Sequence, residues 1–204
     1  MLFTKKTKFS ITEKQLKEDV LDENGAVLVK INVRYPEIKC SKKDPLSRNC
    51  VKLYPKIAES FCSYAKKELK SAALKTKKES ADGFAPFSAI MKWENVFENE
   101  RFLCLITDVS VWDGRGVPET DRKIQVWERE FGTVCRFSYF FESEAKKLIY
   151  DEFSTDDTKK AFDRELFALT KDGFEFHIRC KNGYRTFLLP LSLLKEKSLL
   201  KKEI

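Results

Sequence analysis

The sequence predicts an α+β domain: a twisted antiparallel sheet with a long amphipathic helix and shorter helices packed on one face. Three observations carry that expectation. Residues 26–38 (AVLVKINVRYPEI) alternate apolar and polar side chains, the period of a half-buried strand. Between Ile57 and Ala72, apolar residues recur at steps of one, three or four, the spacing of one helix face. From Phe87 onward, strand-like runs follow one another across connections too short to hold a crossover helix, so neighbours in sequence should pair antiparallel.

Along the chain, the first 25 residues mix Lys, Glu, Thr and Asp with scattered Phe9, Ile11, Leu16 and Val20 and show no firm period. They are expected to be an N-terminal arm, with Asn24-Gly25 as a turn, and residues 26–204 to form a single domain. In the first strand Val27, Val29, Ile31, Val33 and Tyr35 share one face, and Pro36 should close it. Residues 40–49 are rich in Ser, Lys, Asp and Pro and read as a loop. Pro55 suits the first turn of a helix, where its missing N–H is not needed. Behind it the stripe Ile57, Ala58, Phe61, Ala65, Leu69 and Ala72 runs toward a polar end at residues 75–83. Such a stripe must be buried, and a sheet is the natural partner.

Four strands are expected next, at residues 87–97, 101–112, 123–131 and 134–141, separated by Glu98-Asn99-Glu100, Asp113-Gly114-Arg115-Gly116 and Gly132. Residues 142–165 return to helical spacing through Ala145, Leu148 and Ile149, then Ala161 and Phe162, with Ser154 or Thr155 as an N-cap between two short helices. Two hairpins follow, one turning at Lys171-Asp172-Gly173 and one at Asn182-Gly183. Pro190 and Ser192 should open a last short helix.

The 204 residues include 17 Phe, 6 Tyr and 3 Trp, and 42% are hydrophobic, enough to build a sizeable core and not a disordered tail. No apolar run approaches the length of a membrane span or a signal-peptide core, so the expectation is a soluble cytoplasmic protein. The net charge is +7, with the positive excess concentrated in the first 80 residues at Lys5, Lys6, Lys8, Lys42, Lys43 and the helix lysines between Lys66 and Lys78. A basic nucleic-acid-associated protein is therefore the alternative function. Nucleic-acid binding, though, uses a basic face with aromatics interleaved, and lysines spread over helix and loop surfaces fit a solvated exterior better.

Chemistry-bearing patterns are sparse. Cys40, Cys50, Cys62, Cys104, Cys135 and Cys180 contain no C-x-x-C pair, so no zinc site, other metal or cofactor is expected, and reduced thiols suit a chain with its own core. His177, the one histidine, lies on the strand FEFHIRC, where alternation turns Phe174, Phe176, Ile178 and Cys180 inward and leaves His177 on the polar face. The carboxylate pairs Asp156-Asp157 and Glu142-Glu144 sit where helix starts favour negative charge. The glycines at 114 and 116 lack the Lys-Ser/Thr and helix of a phosphate loop. With no catalytic constellation, the expectation is a non-enzymatic module that binds a protein partner. The residues expected to carry that contact are Trp112, Asp113, Arg115 and Arg122, a large aromatic and two guanidinium groups on one turn, the types that dominate interface hot spots. Trp93 and Trp127 lie inside strands and should serve packing.

With this order on the page, the chain resembles a bacterial family. Its RYPEI strand, its long helix, residues 87–94 (FSAIMKWE), the strand at 107–113 leading into a glycine-containing turn, Gln125-Val126-Trp127 before Phe131-Gly132, and residues 169–174 (LTKDGF) before 187–190 (FLLP) look like the sensing domain of RsiV-type anti-sigma factors, also found beside peptidoglycan deacetylase domains. The likeness spans about residues 27–195, in order and pattern. It implies a non-catalytic binding domain, which in the anti-sigma factor binds lysozyme outside the membrane. Where family members carry a Tyr-x-Tyr-x-Gly-Gly-Ala-His-Gly type motif, this chain has residues 109–118 as VSVWDGRGVP. The transmembrane and sigma-binding segments of the anti-sigma factor have no counterpart in it.

Overall fold

The computed structural model describes residues 9–80, 83–153, 162–181 and 183–201. Within them the strands are β1 (Ser10–Leu21), β2 (Val27–Lys39), β3 (Phe87–Glu98), β4 (Phe102–Trp112), β5 (Glu119–Glu128), β6 (Thr133–Cys135), β7 (Phe167–Leu169), β8 (Gly173–Cys180) and β9 (Gly183–Pro190). The helices are α1 (Leu46–Tyr64), which passes through a π-helical turn (Ala65–Leu69) into α2 (Lys70–Glu79), then α3 (Phe137–Phe140), α4 (Ser143–Phe153) and α5 (Leu191–Glu196). A six-stranded sheet runs in the order β1-β2-β3-β4-β5-β6 and a three-stranded sheet in the order β7-β8-β9. The α+β class holds, with one parallel pair in the larger sheet. β2 and β3 align from Val29 beside Phe87 to Val33 beside Met91, because the helical segment between them is long enough to carry the chain back to its starting end. Two compact units emerge, one made of residues up to Trp93 with Thr107–Arg122, the other of Glu94–Ile106 with residues from Lys123 onward.

In the first unit, β1 and β2 form an antiparallel hairpin from Ser10 beside Lys39 to Leu21 beside Val27. Much of the stretch that showed no period is thus a strand. Except for Ile11 and Val20 its side chains are exposed, so no buried face imposed an alternation, and pairing with β2 makes it a strand. The turn is held by Asp22, whose Oδ1 accepts the N–H groups of Asn24 and Ala26, each at 2.9 Å, while Gly25 takes a left-handed φ of 79°. Pro36 does not close β2. It sits in register with Glu13, beyond the end of the parallel ladder at Val33, where one side of the strand no longer needs a donor.

The long helix begins at Leu46, earlier than Pro55 suggested. Asp44 Oδ1 accepts the Leu46 N–H at 3.0 Å, satisfying one of the orphan donors of the first turn. Pro55 is interior and leaves the carbonyl four residues before it without its usual donor. Burial of Tyr54 and Ala58 on either side holds the helix through that defect. Farther on, the Lys70 N–H reaches back five residues to the Ala65 carbonyl. Ala58, Ala65, Leu69 and Ala73 pack with Val29, Ile31 and Val33 of β2 and with Ala89 and Met91 of β3. Two ion pairs add to the seam, Lys66 to Glu18 at 2.7 Å and Lys77 to Asp22 at 2.6 Å. The second of these holds the Asp22 carboxyl below its ordinary range.

The second unit has an aromatic core of Phe102, Phe137, Phe140, Phe141, Phe167, Phe174 and Phe176, with Cys104, Val126, Leu169 and Leu189. Here the expected strand at 134–141 is corrected: β6 ends at Cys135 and the chain turns into α3. Phe137, Phe140 and Phe141 are all buried, and their spacing of three and four is helical. The Phe137 N–H at the start of α3 donates to Glu165 Oε2 at 2.9 Å. The two C-terminal hairpins and the short helix after Pro190 form as expected. Gly173 is required where it stands, because a Cβ there would run into the Leu189 carbonyl oxygen. Ser154, Thr155, Asp156, Asp157, Ala161 and Asn182 lie outside the described residues. Among the described residues no helix is long and apolar enough to cross a membrane.

Candidate functional site

β4 and β5 form a hairpin whose outer half belongs to the first unit. Its neck is locked by two polar rungs. Ser110 Oγ and Thr120 Oγ1 lie 2.8 Å apart, and Arg122 grips Asp108 with both ends of its fork, Nε to Oδ1 at 2.7 Å and Nη2 to Oδ2 at 2.6 Å. Such bidentate pairing fixes orientation as well as charge. Above the neck, the tip closes on itself. The Arg115 N–H donates to Asp113 Oδ1 at 3.0 Å, an Asx turn, and Trp112 Nε1 donates to the Gly116 carbonyl at 3.2 Å. Gly114 and Gly116 hold φ of 85° and 62°, a region that side chains with a Cβ avoid.

Trp112, Asp113 and Arg115 therefore share one turn, whereas Arg122 does not join them. It lies in β5 and is committed to Asp108 at the neck. Asp113 is exposed but spends one carboxylate oxygen on the turn. Trp112 is half-buried, with its indole bridging the loop, and Arg115 is exposed. Sequence reasoning passed over Val117, which is 68% exposed at the tip. An apolar residue between glycine and proline in a turn region was the available signal. Trp127 is buried, and Trp93 is half-buried with its Nε1 donating to Glu13 at 3.1 Å, so both serve the sheet.

His177 is not on the surface. It is 2% exposed, its backbone N–H donates to the Leu166 carbonyl at 2.9 Å, and its ring Nε2 lies 4.0 Å from Glu175 Oε2. Alternation assigned it to the face opposite Phe174 and Phe176; it could not say that this second face is buried at His177 while its neighbours Glu175 and Arg179 stay half-buried and exposed. The six cysteines are free. Burial drives the Cys50 thiol upward and pushes Cys104 up to about 12, so neither is a thiolate at neutral pH, the form that acts as a nucleophile. Glu144 lies in the first turn of α4, and its own N–H holds its carboxyl below the usual range, as a helix start requires. Among the described residues, no three His, Cys, Asp or Glu side chains gather as metal ligands. A cleft of about 500 Å3 between the β1–β2 turn and α2, lined by Asp22, Lys70, Leu74 and Lys77 among others, has its Lys77 charge spent on Asp22.

These features define a class by fold: an α+β protein with a crossover helix on a mixed sheet, a separate antiparallel sheet on an aromatic core, and a structured hairpin tip. No protein-family model matches the sequence, and no curated protein matches it. Solved structures do. A member of the DUF3298 family from Bacteroides fragilis is similar with a TM-score of 0.65 at 12% identity, covering 96% of this chain and 95% of that one. A DUF3298 family protein from Pseudomonas aeruginosa PAO1 is similar with a TM-score of 0.54 at 12% identity, covering 94% and 95%. At such identity the likeness is one of fold.

Proposed function

We propose that this chain is a non-enzymatic protein-binding or sensing module, and that the tip of the β4–β5 hairpin touches its partner. The observation that carries this is a tip already organised without a partner: Trp112 and Asp113 close the turn from inside, and Arg115 and Val117 are left exposed. A contact surface that is rigid beforehand loses less conformational freedom on binding, and Trp and Arg are the side chains that most often dominate such contacts. Support also comes from the resemblance to the RsiV-type sensing domain and from a fold shared with DUF3298 proteins over nearly the whole chain. Lys66 and Lys77, two lysines behind the nucleic-acid alternative, are paired with carboxylates. A cytoplasmic site of action fits six free thiols, which a reducing compartment preserves.

The test replaces Trp112 and Arg115 together by alanine. Melting should be nearly unchanged, because neither side chain belongs to either core, while a photo-crosslinker placed at Val117 should lose the protein that it captures in the parent chain. Lysozyme is titrated in parallel to test the partner class that the resemblance implies. Capture that persists in the double variant removes the hairpin tip from the interface, and capture that vanishes with nuclease and falls steeply with salt replaces the proposal with the nucleic-acid reading.

A further inference from the structure

The connection from β2 to α1 carries two of the cysteines, Cys40 just beyond the strand and Cys50 in the second turn of the helix. Hydrogen bonds fold the chain between them back on itself. The Asp44 N–H donates to the Ser41 carbonyl at 2.9 Å, the Ser47 N–H to the Asp44 carbonyl at 2.9 Å, and the Ser47 hydroxyl to the Lys42 carbonyl at 3.1 Å. From the rung between Lys42 and Ser47, Cys40 lies about 6.6 Å back along the extended leg and Cys50 about 4.5 Å along the helical one. The two cysteines therefore flank the reversal at similar depth. The ion pairs farther along the helix give the same level. Lys66 is joined to Glu18, which stands beside Ile31 of β2, and the helix runs against β2 because β2 and β3 are parallel. From Lys66 back to Cys50 the helix covers about 24 Å, and that distance along β2 from Ile31 ends about at Ile38, near Cys40.

Cys50 belongs to the stripe Leu46, Cys50, Tyr54 and Ala58 on the buried side of the helix, and Cys40 is half-buried. Burial raises the Cys50 thiol, and charge on Cys40 and on Asp44 raises it further, so both groups lie within electrostatic reach of it. The other cysteines do not pair in this way. Cys62 is about 18 Å farther along the helix from Cys50. In the second unit, Cys104 and Cys135 stand on β4 and β6 with β5 between them, two strand spacings or about 9.5 Å apart, beyond the reach of a disulfide.

We infer that Cys40 and Cys50 form a redox modification site: exchange with a small disulfide such as oxidised glutathione closes them into a disulfide that clasps the end of β2 to the start of α1. Cys40, the more accessible thiol, opens the glutathione disulfide, forming a mixed disulfide and releasing one glutathione thiol. The Cys50 sulfur then bonds to the Cys40 sulfur and displaces the second glutathione. The two cysteines lose two electrons and two protons, and two glutathione thiols carry them away. A reducing compartment keeps the pair open. The experiment treats the full folded chain with oxidised glutathione, blocks remaining thiols with iodoacetamide and maps the peptides by mass. Trypsin cuts after Lys42, Lys43 and Arg48, so the bond should hold residues 40–42 to residues 49–52. The closed chain should melt about 5 °C higher or more, an increase that dithiothreitol reverses, and amide exchange in the first turn of α1 should slow. Cys40→Ser should abolish both the linked peptides and the increase, and Cys50→Ala should leave glutathione on Cys40, with circular dichroism confirming that each variant is folded. Glutathione that stays on Cys40 in the parent chain overturns the inference, as do an unreacted Cys40, linked peptides that join a different pair, and a link that forms without any rise in melting temperature.

Discussion

The two units bury their cores by opposite means. In the first, a helix lies on the sheet through alanines, with Ala58, Ala65 and Ala73 fully buried against Val29 and Val33. In the second, Phe140 meets the rings of Phe102, Tyr139, Phe141, Phe167 and Phe174 at centroid distances of 4.9–6.3 Å. Small residues let a helix backbone approach a sheet closely and tolerate no added volume. A ring cluster draws its stability from large buried area and ring geometry and tolerates no removal. The same hydrophobic effect thus gives two seams with opposite sensitivities.

The largest expected effect is at Phe140. Phe140→Ala removes the ring shared by five aromatic neighbours and should cost about 3–5 kcal/mol, read as a fall in the urea midpoint with early loss of near-ultraviolet ellipticity. Ala65→Leu tests the other seam. Inserting three carbons at the helix–sheet contact should cost about 1–3 kcal/mol, whereas Ala72→Leu, at an exposed position of the same helix, should stay within about 0.5 kcal/mol. If Ala65→Leu were neutral, the contrast between tight and ring-filled seams would fail.

The contrast also explains what the sequence made legible. A helix seam of alanines and aliphatics has a clean period, and the stripe through Ala58, Ala65 and Leu69 was readable because of it; the expected next member, Ala72, is exposed, because beyond the π-helical turn the buried position falls on Ala73. Its beginning was not, because Pro55 suggests a start while the cap is made by Asp44, in a stretch whose composition resembles a loop. In the aromatic unit, Val134 to Phe141 looked like a strand because Phe and Tyr favour strands, although the spacing of Phe137, Phe140 and Phe141 was helical. β1 was hidden for a different reason: a strand exposed on both faces needs no alternation. At the hairpin tip, Trp112, Asp113 and Arg115 were visible as residue types in a glycine turn. The commitment of Arg122 to Asp108 was not, since a cross-strand partner fourteen residues away depends on register.

An alkaline titration sharpens the comparison by reporting on burial in the aromatic unit. The Cys104 thiol rises from an ordinary value of 9.0 to about 12 in the folded chain because it is buried. Between those values the unfolded chain has released the proton and the folded chain has kept it. The contribution of Cys104 is therefore intact below pH 9 and is lost as pH rises toward 12, by at most about 1.4 kcal/mol per pH unit. Cys104→Ala should make the alkaline fall in urea midpoint shallower, with an unchanged slope removing Cys104 as its source.

The smallest effect is expected at the neck of the hairpin. Arg122 and Asp108 form a two-pronged pair, but their side chains keep 22% and 24% of their exposure, so water screens much of the attraction. A double-mutant cycle with Arg122→Ala and Asp108→Ala should give a coupling of about 0.5–1 kcal/mol, shrinking with added salt as exposed pairs do. Its consequence for the tip is the more informative readout. If the pair orients the hairpin, Arg122→Lys keeps the charge but loses the fork, and hydrogen exchange at the Arg115 amide should quicken although global stability barely moves. Unchanged exchange there would mean that Trp112 and Asp113 hold the turn without help from the neck.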